Sequence, residues 1–187
     1  FFFFFFFFFF KQKTAYEISE CDWSSGVCSS DLNLLLATAV GIGGTVFMDL
    51  WSVLLNRVFA IAPPNWGLVG RWVFHLKHGV VFHSDIQIAQ ETAGETRIGW
   101  AFHYGVGIIY GVLFIALIGA DWLREPSFLP VWVFSIATIA AGWFLLHPGL
   151  GLGIALSKTP NPHFGRAMGL LGHTVFGLGM WCTALLL

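Results

Sequence analysis

The sequence has few charged residues, few cysteines and no excess of either charge sign. Only 10% of its 187 residues are Asp, Glu, Lys or Arg, whereas soluble proteins average about 25%. Nine Lys or Arg residues and ten Asp or Glu residues give a formal net charge of -1, which argues against a nucleic-acid partner. Nucleophile-elbow, phosphate-loop and HExxH motifs are also absent from the sequence. Ordinary hydrolytic chemistry therefore has no support, and the sequence leans away from an enzyme.

Residues 1–32 resemble translated sequencing adapter rather than protein. A run of thymines encodes residues 1–10, which are all Phe, and a common short-read adapter encodes residues 11–18 and 22–32 except for Gly26. Segments of this kind are excluded before a fold is inferred. We therefore place the start of the folded domain at Asn33, expect the native N-terminus to be missing, and expect residues 1–32 to contribute nothing to the core.

This boundary changes the cysteine count and the charge. Cys21 and Cys28 lie before it, and only Cys182 remains, inside an apolar run. Disulfides and cysteine metal sites are therefore not expected. Residues 33–187 carry seven Lys or Arg and six Asp or Glu, a formal charge of +1, which again indicates no nucleic-acid partner.

Four long apolar runs dominate residues 33–187. They occupy residues 34–55, 98–120, 130–156 and 164–187, and each can cross a hydrocarbon core of about 30 Å at about 1.5 Å per helical residue. A helix of a soluble protein would show a polar face, whereas these runs are apolar nearly all round. The sequence predicts an all-α fold, a single transmembrane domain built as a four-helix bundle in the lipid bilayer.

The basic residues predict the orientation of this domain. Six of the seven Lys and Arg residues fall in the first and third loops, and only Arg124 falls in the second. Because cytoplasmic loops retain positive charge, we expect the first and third loops in the cytoplasm and both termini on the opposite side. Within the first loop, residues 66–77 interleave apolar and basic side chains, which predicts a short helix in the membrane interface.

Each predicted span carries an ionisable residue. These residues are Asp49, His103, His147 and His173. Such side chains are costly in lipid and usually face the interior of a bundle. Counting about 1.5 Å per residue from the cytoplasmic ends places all four in the same half of the bilayer. We therefore predict one intramembrane polar cluster for a proton, a metal or a small polar ligand. The alternative is that these groups only hold the helices together.

Two glycine stripes strengthen the prediction that the second and fourth spans turn a histidine inward. Glycines at four-residue spacing flank His103 and His173 on one helix face each. Small residues at this spacing let helices approach closely, so the stripes are expected to face partner helices, either in the same chain or in a homo-oligomer. The stripes are Gly99, Gly107 and Gly111 in the second span and Gly165, Gly169 and Gly177 in the fourth.

His147, Pro148 and Gly149 interrupt the third predicted span. Because proline removes a backbone donor and clashes with the preceding turn, a kink or a break is expected there. Unwound backbone at this depth is tolerated where it lines a cavity or is buried in protein. Transporters use such discontinuous helices to hold substrates, and the alternative is a plain packing kink.

The first loop contains a second group of polar residues. Its members are Arg71, His75, His78, His83 and Asp85. The spacing of the three histidines and the aspartate matches no standard zinc motif. A solvated or headgroup-facing cluster is the default interpretation, and a metal site is the alternative.

Five segments carry a family resemblance. They are GTVFMDLW at 44–51, LVGRW at 68–72, GWAFHYGVGI at 99–108, HPGLGLGIALSKTPNP at 147–162 and GHTVFGLGMW at 172–181. Together they resemble a family of small bacterial membrane proteins catalogued as domain of unknown function 2938, over nearly all of residues 33–187. The resemblance implies a four-helix protein of the bacterial inner membrane and supplies no activity, substrate or cofactor.

The sequence leaves three functional classes open. The first is a proton-coupled or small-ligand transporter that uses the intramembrane Asp and His residues, and four helices would then have to dimerise through the glycine stripes. The second is a membrane protein or enzyme that binds a metal or haem, although the sequence has no CxxCH motif for haem attachment. The third is a structural or assembly subunit whose polar groups serve only packing. No cofactor can be named from these residues.

Overall fold

The computed structural model describes residues 23–187, whose regular secondary structure is helical, with no β-strand among them. The α-helices are α1 (Trp23–Phe59), α2 (Trp66–Leu76), α3 (Glu95–Ile118), α4 (Phe128–Ala141), the single turn α5 (His147–Gly149) and α6 (Pro162–Leu186). Four segments are long and apolar enough to cross a membrane: Ser30–Phe59, Glu95–Ile118, Phe128–Gly149 and Pro162–Leu186. The predicted all-α fold with four such helices is confirmed. The expectation for residues 1–32 falls largely outside the described residues.

Residues 35–187 form one compact unit whose core is shared by all four long helices. The buried side chains at its centre are Val40 of α1, Phe114 of α3, Val131 of α4, and Phe176 and Met180 of α6. Other large apolar side chains of these helices stay exposed, Leu50, Ile109 and Leu186 among them. Helices that are apolar on both their inner and outer faces suit a surrounding of lipid.

Close contact between backbones sets the packing of α1 against α3. A Cβ atom on Gly111 would meet the backbone of Ala37 and Gly41, and one on Gly41 would meet the carbonyl of Gly107. Thr45 at this crossing donates its hydroxyl hydrogen to the Gly41 carbonyl at 2.9 Å. Lacking side chains, these glycines let the two helix axes approach closely, as small residues do in membrane proteins.

The glycines of the two stripes contact other elements of the same chain. In α3, a Cβ on Gly99 would meet the backbone of α2, and one on Gly107 would meet Thr45 of α1. In α6, Gly169 lies near Ile139 and Gly177 near Ser135, both on α4, while Gly165 lies near Leu156. The stripes thus serve packing within the chain, and association with a second copy stays a prediction.

The third span ends earlier than predicted. A span over 130–156 with a kink or a break at residues 147–149 was expected; α4 passes through a π-helical turn at Gly142–Leu146 into α5, and the helix ends at Gly149 instead of resuming over 150–156. Pro148 has no N–H to donate to the preceding turn, which accounts for the altered hydrogen bonding there. Gly151 and Gly153 then adopt φ of 85° and 75°, and Ala155 adopts φ of 47°. The chain therefore folds back before entering α6.

The first loop forms a second layer beside α3. Trp72 of α2, Ile86 of a 3₁₀ turn (Ile86–Ile88) and Leu150 after α5 make a small buried cluster. The helix predicted over residues 66–77 is present as α2, and the side chain of Asn65 caps it by accepting from the amides of Gly67 and Leu68. The loop is therefore an ordered part of the fold that joins α2 to the end of the third span.

Candidate functional site

A carboxylate on α1 is held by two side chains of α3. His103 Nε2 lies 3.0 Å from Asp49 Oδ1, and the Tyr104 hydroxyl donates to Asp49 Oδ2 at 2.8 Å. Both carboxylate oxygens therefore have a partner. All three residues lie inside the segments long and apolar enough to span a membrane. We call these three residues the Asp49 site.

The Asp49 site remains partly accessible. The side chain of Asp49 is 22% exposed and that of His103 is 11% exposed, so the pair is mostly buried without being sealed. Close packing of α1 on α3 at the Gly41 and Gly107 crossing holds the two helices together near it. A carboxylate and an imidazole in such a setting have lost much of their hydration, so a charge on either group depends strongly on the other.

Two tryptophans surround the imidazole of the Asp49 site. The Trp66 ring stacks on His103 with ring centroids 4.0 Å apart and an interplanar angle of 26°. Trp100 meets His103 edge-on at 5.9 Å and lies 5.6 Å from Trp66. The face of an indole attracts a cation, so a protonated His103 gains from this stack. Since Trp66 is the first residue of α2, the stack also ties the first loop to the site.

His173 has a different kind of partner. Its Nδ1 lies 2.9 Å from the backbone carbonyl oxygen of Ser135 and 3.1 Å from the Thr138 hydroxyl, and that hydroxyl donates to the Ser135 carbonyl at 2.7 Å. Because a carbonyl only accepts, the proton is assigned to Nδ1 of His173. This arrangement suits a neutral imidazole that links α6 to α4.

His147 is bonded to neither group. Among the described residues, His147 Nδ1 and Trp51 Nε1 are the buried side-chain nitrogen atoms without a hydrogen-bond partner. In residues 23–187 no three His, Cys, Asp or Glu side chains are grouped as a metal site would require. The structure thus joins two of the four predicted cluster residues, Asp49 and His103, and bonds His173 elsewhere.

The histidines of the first loop do not converge on one point either. His75 Nδ1 lies 2.8 Å from His83 Nε2, whereas the exposed His78 packs its ring against Phe74. Burial lowers the pKa of His75, and Coulomb interactions with His83, His78 and Arg71 lower it further. His75 and His83 therefore form a pair, and His78 lies outside it.

Asp85 has a local role. Its carboxylate accepts the amide hydrogen of Gln87 at 2.8 Å and caps the 3₁₀ turn Ile86–Ile88. Asp85 and its capping bond are exposed at the protein surface. This is the usual behaviour of an aspartate at a turn.

Arg71 is a buried structural anchor. It is 4% exposed and makes two bonds of 2.9 Å to the carboxylate of Glu95. The hydrogen bond to Glu95 raises the pKa of Arg71, and a planar guanidinium suits such bidentate pairing. Arg71 also donates to the carbonyls of Ile86, Gln87 and Ala89. These contacts lie within the chain, so Arg71 holds α2, α3 and the loop together.

Sequence reasoning missed two residues of these sites. In the sequence Tyr104 is one aromatic residue among several in an apolar helix, yet its hydroxyl donates one of the two hydrogen bonds that hold Asp49. Glu95 is separated from Arg71 by 24 residues. The available signal for Glu95 was Arg71 itself, because an arginine in the middle of the apolar run 66–76 requires a buried partner.

The chain belongs to the family described as protein of unknown function DUF2938, whose family model matches residues 38–187. No curated protein matches the chain, and no solved structure does. The family description carries no activity, so any functional conclusion depends on the geometry of the sites.

Proposed function

We propose that this multi-pass membrane protein is a transport protein of the bacterial inner membrane that binds a proton at the Asp49 site and couples it to movement of a small polar ligand. The observation that carries the proposal is the contact of 3.0 Å between His103 Nε2 and Asp49 Oδ1 inside two helices that are apolar enough to span a membrane. Ionisable groups at such depth are costly, and pumps and transporters use them as proton sites.

The charge of the Asp49 site changes with a single proton. When His103 is protonated, the imidazolium and the carboxylate neutralise each other, and when it is neutral the site carries one negative charge. Opposite charges about 3 Å apart in a medium of low dielectric attract strongly, so proton loss weakens the attraction between α1 and α3. A proton-coupled carrier requires such a link between protonation and helix packing.

The competing interpretation is a purely structural polar contact. Hydrogen bonds between membrane helices are common and contribute about 0.6–2 kcal/mol each. The substitution Asp49→Asn separates the two interpretations. An asparagine retains the shape of the side chain, can accept from Tyr104 and can donate to His103, but it removes the carboxylate charge. A structural contact tolerates this change, whereas a proton site does not.

The test uses purified full-length protein in liposomes with a trapped pH-sensitive dye. Small polar compounds are added one at a time across an imposed pH gradient, and proton movement is recorded. We expect at least one compound to drive proton movement with the wild-type protein and none with Asp49→Asn or His103→Gln. The matched control is Asp121→Asn, because Asp121 is 98% exposed in the turn after α3. Wild-type proton movement in Asp49→Asn would refute the proposal.

The proposal includes an orientation. Six of the seven basic residues of 33–187 lie between the last turn of α1 and the first turn of α3, or between α5 and the first turns of α6, and one lies in the loop after α3. This asymmetry supports the first and third loops in the cytoplasm and both termini in the periplasm. A reporter enzyme that is active only in the periplasm, fused after Leu187, should be active. A cytoplasmic reporter signal at the same position would reverse the orientation.

A further inference from the structure

The first loop docks on the backbone that follows the third span. The His83 amide donates to the Gly149 carbonyl at 3.1 Å, and the Ile86 amide donates to the Leu150 carbonyl at 3.2 Å. A Cβ on Gly149 would meet the indole of Trp72, and one on Gly151 would meet the backbone of Ser84. Helix ends leave carbonyl groups without partners. Here the loop satisfies two of them, so those carbonyls are not free to hold a substrate.

A chain of two imidazole rings connects this docked loop to α2. His83 Nδ1 lies 2.9 Å from the Gly149 carbonyl, and His83 Nε2 lies 2.8 Å from His75 Nδ1. Because the carbonyl can only accept, His83 Nδ1 carries a proton. In a neutral His83 the Nε2 atom is then the acceptor, and His75 Nδ1 donates to it. Only one proton fits between the two rings.

We propose that the pair His75 and His83 is a proton-sensitive latch that holds residues 80–86 against α2 and the end of the third span. At neutral pH the single proton between the rings makes a hydrogen bond. When both rings are fully protonated, two N–H groups face each other and repulsion replaces the bond. His83 can still donate to Gly149 in either state, so the bond that is lost is the one to His75, and residues 80–86 then open more often because one contact fewer holds them. This inference does not depend on the proposed transport function.

Water reaches the latch from one side. His75 lines an open pocket of about 310 Å³ together with Phe74, Gln90, Glu91, Thr92 and Ala93. Besides His83, the groups that act on His75 are His78 and Arg71. Lys77 lies over the Phe74 ring, Asp85 follows His83 by two residues, and Glu91 lines the pocket. The Arg71 guanidinium is neutralised by Glu95. Protons therefore have access to His75, while the neighbouring pair Arg71 and Glu95 keeps its charges.

The sign of the pH effect follows from the lowered pKa of His75, which lies below the ordinary value of 6.5. As the pH falls, the unfolded or released segment binds a proton before the docked segment does. The stabilisation is thus fully present above the unfolded pKa and is lost as the pH falls through the folded pKa. Trp72, which donates to the Val81 carbonyl at 2.8 Å, and Arg71 do not titrate in this range, so release stays local.

Hydrogen exchange on the full-length protein in detergent micelles tests the latch. Exchange of residues 80–86 is measured at about pH 8 and about pH 5, on either side of an ordinary histidine pKa, with labelling times scaled for the intrinsic rate. We expect protection to fall by about two- to tenfold at the lower pH, which corresponds to the loss of one hydrogen bond. Protection in 80–86 that is equal at both values overturns the latch.

Three variants identify the responsible group. His75→Gln can donate to His83 without titrating, so residues 80–86 should stay protected at both pH values, and His75→Leu should leave them less protected at both. His78→Gln is the matched control, because His78 contacts Phe74 and not the pair, and it should retain the wild-type response. A wild-type response in His75→Gln or His75→Leu overturns the latch. Asp49→Asn should leave the response unchanged, which separates this test from that of the proposed function.

Discussion

His103 and His173 each interrupt a stripe of glycines in two similar helices, and they have different partners. In α3 the stripe Gly99, His103, Gly107 and Gly111 repeats every four residues, and in α6 the stripe is Gly165, Gly169, His173 and Gly177. His103 lies 3.0 Å from a carboxylate, whereas His173 lies 2.9 Å from a backbone carbonyl. A carboxylate favours a charged imidazole, and a carbonyl beside a hydroxyl is satisfied by a neutral one. The partner, rather than the spacing, decides which histidine can take part in proton chemistry.

The glycines of the two stripes also differ in what they touch. At Gly111 an added Cβ would meet backbone atoms of Ala37 and Gly41, which cannot move without displacing α1. At Gly169 it would come 3.3 Å from the terminal Cδ1 of Ile139, which is the far end of a flexible side chain. The α3 stripe therefore fixes a close helix crossing, and the α6 stripe at Gly169 packs on adjustable side chains.

The largest expected effect tests this difference in packing between Gly111 and Gly169. Gly111→Ala should lower the free energy of unfolding by about 3 kcal/mol, because the new methyl group cannot be accommodated against backbone. Gly169→Ala should change it by less than about 1 kcal/mol, since Ile139 can shift and alanine favours a helix over glycine. Both values come from denaturant titration in detergent micelles. Equal losses would mean that the two stripes pack alike.

The next effect is the loss of the carboxylate from the Asp49 site. Asp49→Ala removes the partner of both His103 and Tyr104, and we expect a loss of about 2 kcal/mol in the free energy of unfolding. In a protein that already carries Asp49→Ala, the substitution His103→Ala should lower the free energy of unfolding much less than it does in the wild type. The contact between the two side chains is already absent there. Additive losses in this double-mutant cycle would show that the two side chains do not stabilise each other.

Much of the fold could be predicted because hydropathy and length are properties of the sequence alone. The four long helices follow from runs of apolar residues, and α2 follows from the alternation in 66–76. At the third span the proline predicted a kink or a break at residues 147–149, but hydropathy did not predict that the helix ends there. Residues 150–156 are as apolar as the helix before them, but Pro148 and the positive φ at Gly151, Gly153 and Ala155 end the helix. Hydropathy reports burial in lipid and carries no information about these backbone angles.

For the candidate site, the sequence could predict the level of each ionisable residue along its helix. It could not predict which neighbouring helix each side chain faces. Counting residues placed Asp49 and His103 in one layer of the membrane, and the structure brings them together. The same count gave His173 and His147 the same depth, but it cannot tell how each helix is rotated about its axis. His173 turns toward α4, and His147 lies in the turn after the π-helical segment. The contact between His83 and Gly149 joins positions 66 residues apart, which no local pattern encodes.

A smaller effect is expected on the α6 side of the comparison. His173→Ala removes the donor to the Ser135 carbonyl, but that carbonyl keeps its bond from Thr138 at 2.7 Å. We therefore expect a loss of about 1 kcal/mol in the free energy of unfolding at neutral pH, and a smaller loss at acidic pH, because the unfolded wild-type chain then binds a proton at His173 that the neutral folded state does not bind. The same denaturant titrations at two pH values measure it. A loss that grows at acidic pH would show that His173 carries a charge in the folded protein.

The smallest effect tests the charge of His103 itself, through the tryptophan stacked on it at 4.0 Å. Trp66→Leu should lower the free energy of unfolding by about 1 kcal/mol, because the ring contact with His103 is lost. The loss should be larger at acidic than at alkaline pH, because the indole face attracts an imidazolium and has little preference for a neutral ring. Phe134→Leu is the control, since Phe134 packs against Tyr110 and Phe114, which carry no charge near neutral pH. If the loss caused by each substitution is the same at both pH values, His103 stays neutral, as His173 does. Proton chemistry could then no longer be assigned to α3 alone.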